Sequence, residues 1–252
     1  MIIRERKDEF VMIQQHDHAS ISGDIAKNLR KEFFRNSNIE EVIIAAYEHD
    51  RSWIALDDTA IWNDQTHVPY SFMDYPFLPK LALYKLGLDE IEKISKYACL
   101  LCSLHYSSFF KNWLQPECLA FIERENLRQK SILDLINVNE ETISIHLKIL
   151  QFCDRLSLYV CLNEPGVEKN GEHSWYREGI SHSEFFNNKG KNLIFTKWID
   201  EEQINVSNFP FDKEFQTRLR YKTVSKELIE NHGINHAYKK VDFKDHSIRF
   251  CK

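Results

Sequence analysis

Long apolar runs are missing from this chain: no stretch approaches the ~18 to 20 consecutive apolar residues that a membrane-spanning helix requires. The opening residues MIIRERKDEF carry charge where a secretory signal would be apolar, so a cytoplasmic address is expected. An excess of positive charge is also lacking. Lysine and arginine number 33 against 38 acidic residues, a formal net charge of −5, which argues against an extended surface for tracking nucleic-acid phosphates. A local basic pocket stays compatible with that balance. The glycine-rich loops G-x-G-x-x-G and the P-loop do not occur, nor does the G-x-S-x-G of serine hydrolases, and no internal repeat or low-complexity tract is found. Six cysteines (99, 102, 118, 153, 161, 251) sit mostly in apolar segments, which suits reduced, buried thiols better than a disulfide framework. Cys99 and Cys102 share an apolar helix with His105 but have no second half-site, so they are expected to be structural rather than a zinc or redox pair.

What the chain does contain is enough apolar material, 43% of 252 residues, to bury a sizeable core. The first dozen residues read as strand, charged turn and strand. Three- and four-residue apolar steps predict helices over 18–34, 39–50, 89–110, 117–136 and 140–162, the last opening on Asn139-Glu-Glu-Thr, a helix N-terminus signal. Residues 56–80, with three prolines and the aromatics Trp62, Tyr70, Phe72, Tyr75 and Phe77, break the periodicity and read as an ordered loop, a hydrophobic flap or a lid. A polar stretch, 163–192, holds four of the seven glycines and reads as an exposed connection. Beyond it LIFTKWI, INVSNFPF, FQTRLRYKTVS and YKKVDFKDHSIRF alternate with period two and read as antiparallel strands. The expected architecture is α+β, mainly helical. A helical core over 14–162 carries a β-rich extension over 163–252, which the strands of 1–13 are expected to join.

The helical stripes carry ionisable residues where aliphatic ones are expected. Ile143, Leu147, Leu150, Asp154 and Leu158 lie on one face, and an unpaired carboxylate there would cost several kcal/mol. His18 leads the stripe of Ile21, Ile25 and Leu29; Val42, Ile43 and Ala46 lead to His49 and Asp50; Ile91, Ile94, Ala98 and Leu101 lead to His105. Taken singly, each has an ordinary explanation as hydrogen-bonded core, or as a pair of Asp154 with Arg155. Together, imidazoles and carboxylates converging from several helices are what a buried divalent-metal site needs. His49 and Asp50 point about 100° apart on a helix, so both reach one ion only if the helix end aims into the site. Trp53, Asp57 and Asp58 just beyond would then line or support it, an aspartate being a common partner for the second nitrogen of a ligating histidine. His16 is expected to support the site or to be exposed.

The ordered set His18, His49-Asp50 and a late Asp154 resembles the HD superfamily of metal-dependent phosphohydrolases, over about residues 14–162. The wording around QHDHASISG, HDRSW and LQFCDRLSLYVCL also resembles a bacterial domain-of-unknown-function family associated with HD-type proteins. The resemblance implies an HD-type helical bundle holding one or two divalent ions (Mn, Fe, Mg, Zn, Co or Ni) on His18, His49, Asp50 and Asp154. It assigns His49 and Asp50 to catalysis and makes His105 the candidate ligand of a second ion. His146, about 12 Å from Asp154 by helical rise, is too far to bind the same ion. The implied partner is a small phosphorylated metabolite or nucleotide, and a homodimer is the one assembly considered. Cations for its phosphate would come from Arg51, Arg124 and Arg128, with Lys111 and Arg155 as further candidates.

Three functions follow as expectations. The first is hydrolysis of a phosphoester by metal-activated water. The second is a di-iron oxygenase, which needs His105 and one more ligand for its second ion. The third is a non-catalytic, metal-containing binding or regulatory protein.

Overall fold

The computed structural model describes residues 1–187 and 192–252 of the chain. Strands β1 (Ile2–Glu5) and β2 (Glu9–Ile13) lead into helix α1 (Gln15–Asn28), followed by α2 (Ile39–Glu48), a 3₁₀ turn at Arg51–Trp53 and the single helical turn α3 (Ile54–Asp57). A two-stranded hairpin, β3 (Trp62–Asn63) and β4 (Val68–Pro69), precedes the long helices α4 (Phe77–Ile94), α5 (Lys96–Phe109), α6 (Pro116–Leu133) and α7 (Glu140–Leu162). The C-terminal part contains β5 (Thr196–Trp198), β6 (Gln203–Val206), β7 (Phe215–Ser225), α8 (Lys226–His232), α9 (Ile234–Lys240) and β8 (Lys244–Cys251). The fold is α+β, with one mixed six-stranded sheet in the order β1-β2-β7-β8-β6-β5.

Alternation along β2 shows how the sheet divides the interior. Val11 and Ile13 join the large core shared with α1, α2, α5 and α7, whereas Phe10 and Met12 face a second cluster with Val224, Ile229, Ala237 and Tyr238. The N-terminal strands enter the sheet through β2, whose Glu9–Met12 pair antiparallel with β7 from Ser225 back to Lys222. Helix α1 lies against the sheet and is tied down by Asp24, which accepts from Thr217 of β7 (2.6 Å) and from the Tyr47 hydroxyl of α2 (2.7 Å).

Several sequence expectations are corrected by tertiary structure. The helix expected over 89–110 is two helices, because Ser95 leaves helical geometry and its hydroxyl accepts from the Ala98 amide as the N-cap of α5 (3.2 Å). Ile91 and Ile94 therefore do not extend the stripe of His105, and Ile94 is exposed. The first helix stops at Asn28 rather than 34, with a separate 3₁₀ turn at Lys31–Phe34. The segment 56–80 is not a plain loop: it holds the β3–β4 hairpin and the first turn of α4. The C-terminal strands are not all antiparallel, since β6 runs parallel to β8, and residues 238–240 finish a helix pair inserted between β7 and β8. The stretch read as an exposed connection buries Glu172, Tyr176, Ile180 and Phe186; its residues 188–191 lie outside the described residues.

Candidate metal centre

Three elements deliver the site. His18 sits in the first turn of α1, and Asp154 in the middle of α7, which packs beside α1. Helix α2 ends at Glu48; His49 still has helical dihedrals, but Asp50 (φ −107°, ψ 22°) leaves them, and this turn-out brings both side chains to one point. Tyr106 of α5 donates its hydroxyl to the His49 carbonyl and is itself held by Ser52 (2.6 Å), fixing the backbone as it leaves the helix. Behind it Gly87 of α4 touches the same turn so closely that a Cβ there would lie 2.6 Å from the Ser52 side chain.

The donor atoms converge. His18 Nε2 lies 3.2 Å from His49 Nε2 and 3.2 Å from Asp154 Oδ1, and His49 Nε2 lies 3.4 Å from the same oxygen. Asp50 Oδ2 stands 3.5 Å and 3.7 Å from the two nitrogens. Ligands at ~2.0–2.2 Å from one ion stand about 3.0 Å apart at an octahedral right angle and about 3.4 Å apart in a tetrahedron, so these spacings are those of a coordination shell. His18, His49 and Asp154 form a group that could hold a metal ion.

Ring tautomers agree with that chemistry. His49 Nδ1 lies 2.9 Å from the Ala46 carbonyl, which can only accept, so Nδ1 carries a hydrogen and Nε2 is the nitrogen turned towards the group. Ser157 spends its one hydroxyl hydrogen on the Asp154 carbonyl (2.8 Å), so its oxygen accepts from His18 Nδ1 (2.8 Å) and His18 Nε2 is the nitrogen turned towards His49 and Asp154. Two Nε2 atoms 3.2 Å apart beside two carboxylates need a positive charge between them, a proton or a metal ion. The field at His49 has that sign: burial opposes a charge on the ring, yet Asp50, Asp154 and the Ala46 carbonyl outweigh it and push its pKa up to about 9. Burial would raise Asp154, but its contacts with His105, His18 and His49 hold it well below the ordinary carboxylate range.

His105 stands apart from this group. Its Nε2 is 3.3 Å from Asp154 Oδ2, the oxygen turned away from His18 and His49, and its buried Nδ1 has no hydrogen-bond partner among the described residues. Facing a carboxylate, Nε2 is the donor, so His105 braces Asp154 rather than presenting a lone pair to the same ion.

A cavity of about 690 Å³ opens above the group, lined by Trp53 as expected and by Arg155. Other expectations fail on geometry. Asp57 does not support a ligand histidine: its carboxylate accepts from the Gln15 amide (2.5 Å) and the Met1 nitrogen (2.6 Å), while Ser157 and the Ala46 carbonyl take the supporting role. Arg51, Arg124 and Arg128, expected to meet phosphate, do not line the cavity, and neither does Lys111. Arg51 is bound to Glu48 and Glu90, and Arg128 to Asp89, Glu92 and Glu125. His146 is not a surface residue; it is fully buried between the Tyr97 hydroxyl (2.6 Å) and the Phe34 carbonyl (2.9 Å). Cys99 and Cys102 are buried free thiols that donate to carbonyls of Leu88 and Ala45.

Lys80 and Gln15 line the cavity although nothing in the sequence singles them out. Lys80 falls in the segment whose broken periodicity conceals the start of α4. Ser157, by contrast, stands in view three residues beyond Asp154, one helical turn along the same face.

No helix among the described residues is long and apolar enough to cross a membrane. No curated protein and no solved structure gives a match to the chain. One protein family does match, over residues 1–226, a span that includes every candidate ligand and the whole cavity wall. The chain therefore belongs to the family described as a protein of unknown function, DUF3891.

Proposed function

We propose that this protein is a metal-dependent phosphohydrolase of HD type, and that His18, His49, Asp50 and Asp154 hold its divalent ion. The observation that carries the reading is the convergence of two imidazole Nε2 atoms 3.2 Å apart with oxygens of two carboxylates 3.2–3.7 Å from them, each imidazole oriented through its other nitrogen. A divalent ion bound there acidifies water and polarises a phosphoryl oxygen, with the open side of the site facing the cavity. The reaction is R–O–PO₃²⁻ + H₂O → R–OH + HPO₄²⁻: a bond forms from the water oxygen to phosphorus, the P–OR bond breaks, and a proton ends on the leaving oxygen.

The chain's own residues do the rest. His105 holds a proton against Asp154 Oδ2 and keeps that carboxylate turned so that Oδ1 meets the histidines. Arg155 and Lys80 bring positive charge to the cavity wall; their hydrogen bonds run to the carbonyls of Ser181 (3.1 Å) and Phe72 (3.0 Å), and neither makes an ion pair among the described residues. Gln15 Oε1 is buried at the wall without a partner among the described residues and is an acceptor for a proton-bearing group of water or substrate.

A single ion is favoured over the two of an oxygenase. The group of His18, His49 and Asp154 is the one cluster of at least three candidate ligands found among the described residues; Asp50 stands 3.5 Å and 3.7 Å from its two imidazole nitrogens, whereas His105 reaches it through the other oxygen of Asp154, Oδ2. The test is phosphate release from a panel of phosphomonoesters with Mn²⁺, Mg²⁺, Co²⁺ or Ni²⁺, comparing the protein with Asp154→Ala. Loss of at least a hundredfold in the variant is expected, and equal rates in both proteins would sink the proposal.

A further inference from the structure

Around the mouth of the cavity, four lining side chains are large, apolar and exposed: Met73 (48%), Phe109 (45%), Trp113 (43%) and Trp175 (51%). They come from three separate segments, the approach to α4, the α5–α6 turn and the 3₁₀ turn at Ser174–Tyr176. Single exposed apolar residues need no explanation, but a ring of them around one opening marks a binding site. Deeper in, Phe77 stacks on Trp113 (5.2 Å), and Tyr84 and Phe110 continue the aromatic wall down towards Trp53.

The polar part of the wall is sparse. Beyond the metal-centre residues and His105 it consists of Gln15, Gln151, Ser108, Ser181, Lys80, Arg155 and the hydroxyls of Tyr84 and Tyr176, with no further carboxylate. Sugar and nucleoside hydroxyls are ordinarily met by several convergent acceptors, and polyphosphates by several cations. Two cations without a carboxylate partner suit one compact anionic head. An aromatic wall of this size, within the roughly 300–1,000 Å³ of small-molecule sites, suits an apolar body attached to it.

We infer that the cavity takes an amphiphilic phosphomonoester, an aryl or medium-chain alkyl phosphate whose head faces the metal centre, Lys80 and Arg155 and whose body lies along the aromatic wall to the Trp113 and Trp175 rim. This rests on the phosphohydrolase reading for the fate of the ester, while the shape and charge of the ligand rest on the cavity alone.

Titration calorimetry with non-hydrolysable phosphonates (methyl, butyl, octyl and 1-naphthylmethyl), each below its micelle concentration, tests the ligand class without turnover. Affinity is expected to rise about threefold per added methylene that enters the cavity. 1-Octanol should bind at least tenfold more weakly than octylphosphonate, and Trp113→Ser with Trp175→Ser should flatten the chain-length series. A flat series in the unaltered protein, or octanol equal to octylphosphonate, would overturn the inference. Turnover separates the two claims. If octyl and naphthyl phosphate are cleaved with kcat/KM at least thirtyfold above glycerol phosphate, both stand. Equal or faster cleavage of glycerol phosphate or a nucleoside triphosphate overturns the amphiphile and leaves the hydrolase. No phosphate from any ester, with the calorimetric series intact, overturns the hydrolase and leaves an anionic-amphiphile site.

Discussion

Ser157 decides how His18 can act. Because its hydroxyl hydrogen is committed to the Asp154 carbonyl, the oxygen must accept from His18 Nδ1, and that one contact holds the ring with Nε2 turned towards His49 and Asp154. Ser157→Ala removes the orienting partner without touching a ligand. Metal affinity is expected to fall about 10- to 100-fold with an unchanged circular dichroism spectrum, as isothermal titration would show. His146 supplies the contrasting case of a buried histidine that is structural. Burial lowers its pKa below the ordinary 6.5, and it sits neutral between Tyr97 and Phe34. The unfolded chain protonates this residue near pH 6.5 while the folded one resists, so its contribution is present above pH 6.5 and is lost as the pH falls towards its folded pKa. His146→Gln preserves one acceptor and one donor but cannot titrate. Denaturant midpoints measured between about pH 7.5 and 5 should therefore fall less steeply for the variant than for the parent protein; parallel curves would contradict the assignment.

At the level of elements, the centre depends on how closely helices approach. Helix α4 supports the turn carrying His49 and Asp50 because Gly87 has no side chain: a Cβ would meet the Ser52 Cβ at 2.6 Å and its backbone nitrogen at 2.7 Å. In α1, Gly23 likewise sits against the Tyr47 ring of α2, where a Cβ would fall 2.2 Å from ring carbons. Gly87→Ala is expected to cost about 1–3 kcal/mol by overpacking and to weaken metal binding as well, since the displaced backbone is the one that aims Asp50. Gly23→Ala should cost a similar or larger amount. Chemical denaturation together with metal titration would distinguish the two effects, and unaltered metal affinity in the Gly87→Ala protein would show that α4 does not position the turn. Helix existence is largely legible from periodicity, as in α1, whose His18, Ile21 and Ile25 are buried as the stripe requires; α7 is buried over more of its circumference than its stripe, with Ile145, His146, Ile149 and Phe152 buried and Leu147 only half-buried. The break at Ser95 is not, because apolar residues continue on both sides and only the cap geometry separates α4 from α5.

At the scale of the molecule, the proposed ligands are residues 18, 49, 50 and 154, so an ion bound there would tie α1, the end of α2 and α7 together and should stabilise the whole fold by linkage. With free metal at about 100 times its Kd, the gain is about 2.7 kcal/mol, which corresponds to roughly 5–10 °C in Tm for a chain of this size. Chelation should lower the melting temperature by that order, and re-addition of the metal should restore it; His18→Ala protein should melt at the same temperature in both conditions. The sequence by itself determined the ingredients of this centre: polar residues interrupting apolar helical stripes, at His18, His49-Asp50 and Asp154, are visible because helical periodicity says which face each residue takes. It could not determine which cations face the cavity. Nothing local distinguishes Arg51 and Arg128 from Lys80 and Arg155; packing set the first two among carboxylates and left the others on the wall. The parallel pairing of β6 with β8 and the Ser157 partner of His18 were likewise decided only in three dimensions. The physical reason is the same in each case: periodicity is a local property of the chain, whereas charge pairing, strand order and tautomer depend on which distant atoms the folded core brings within about 3–4 Å.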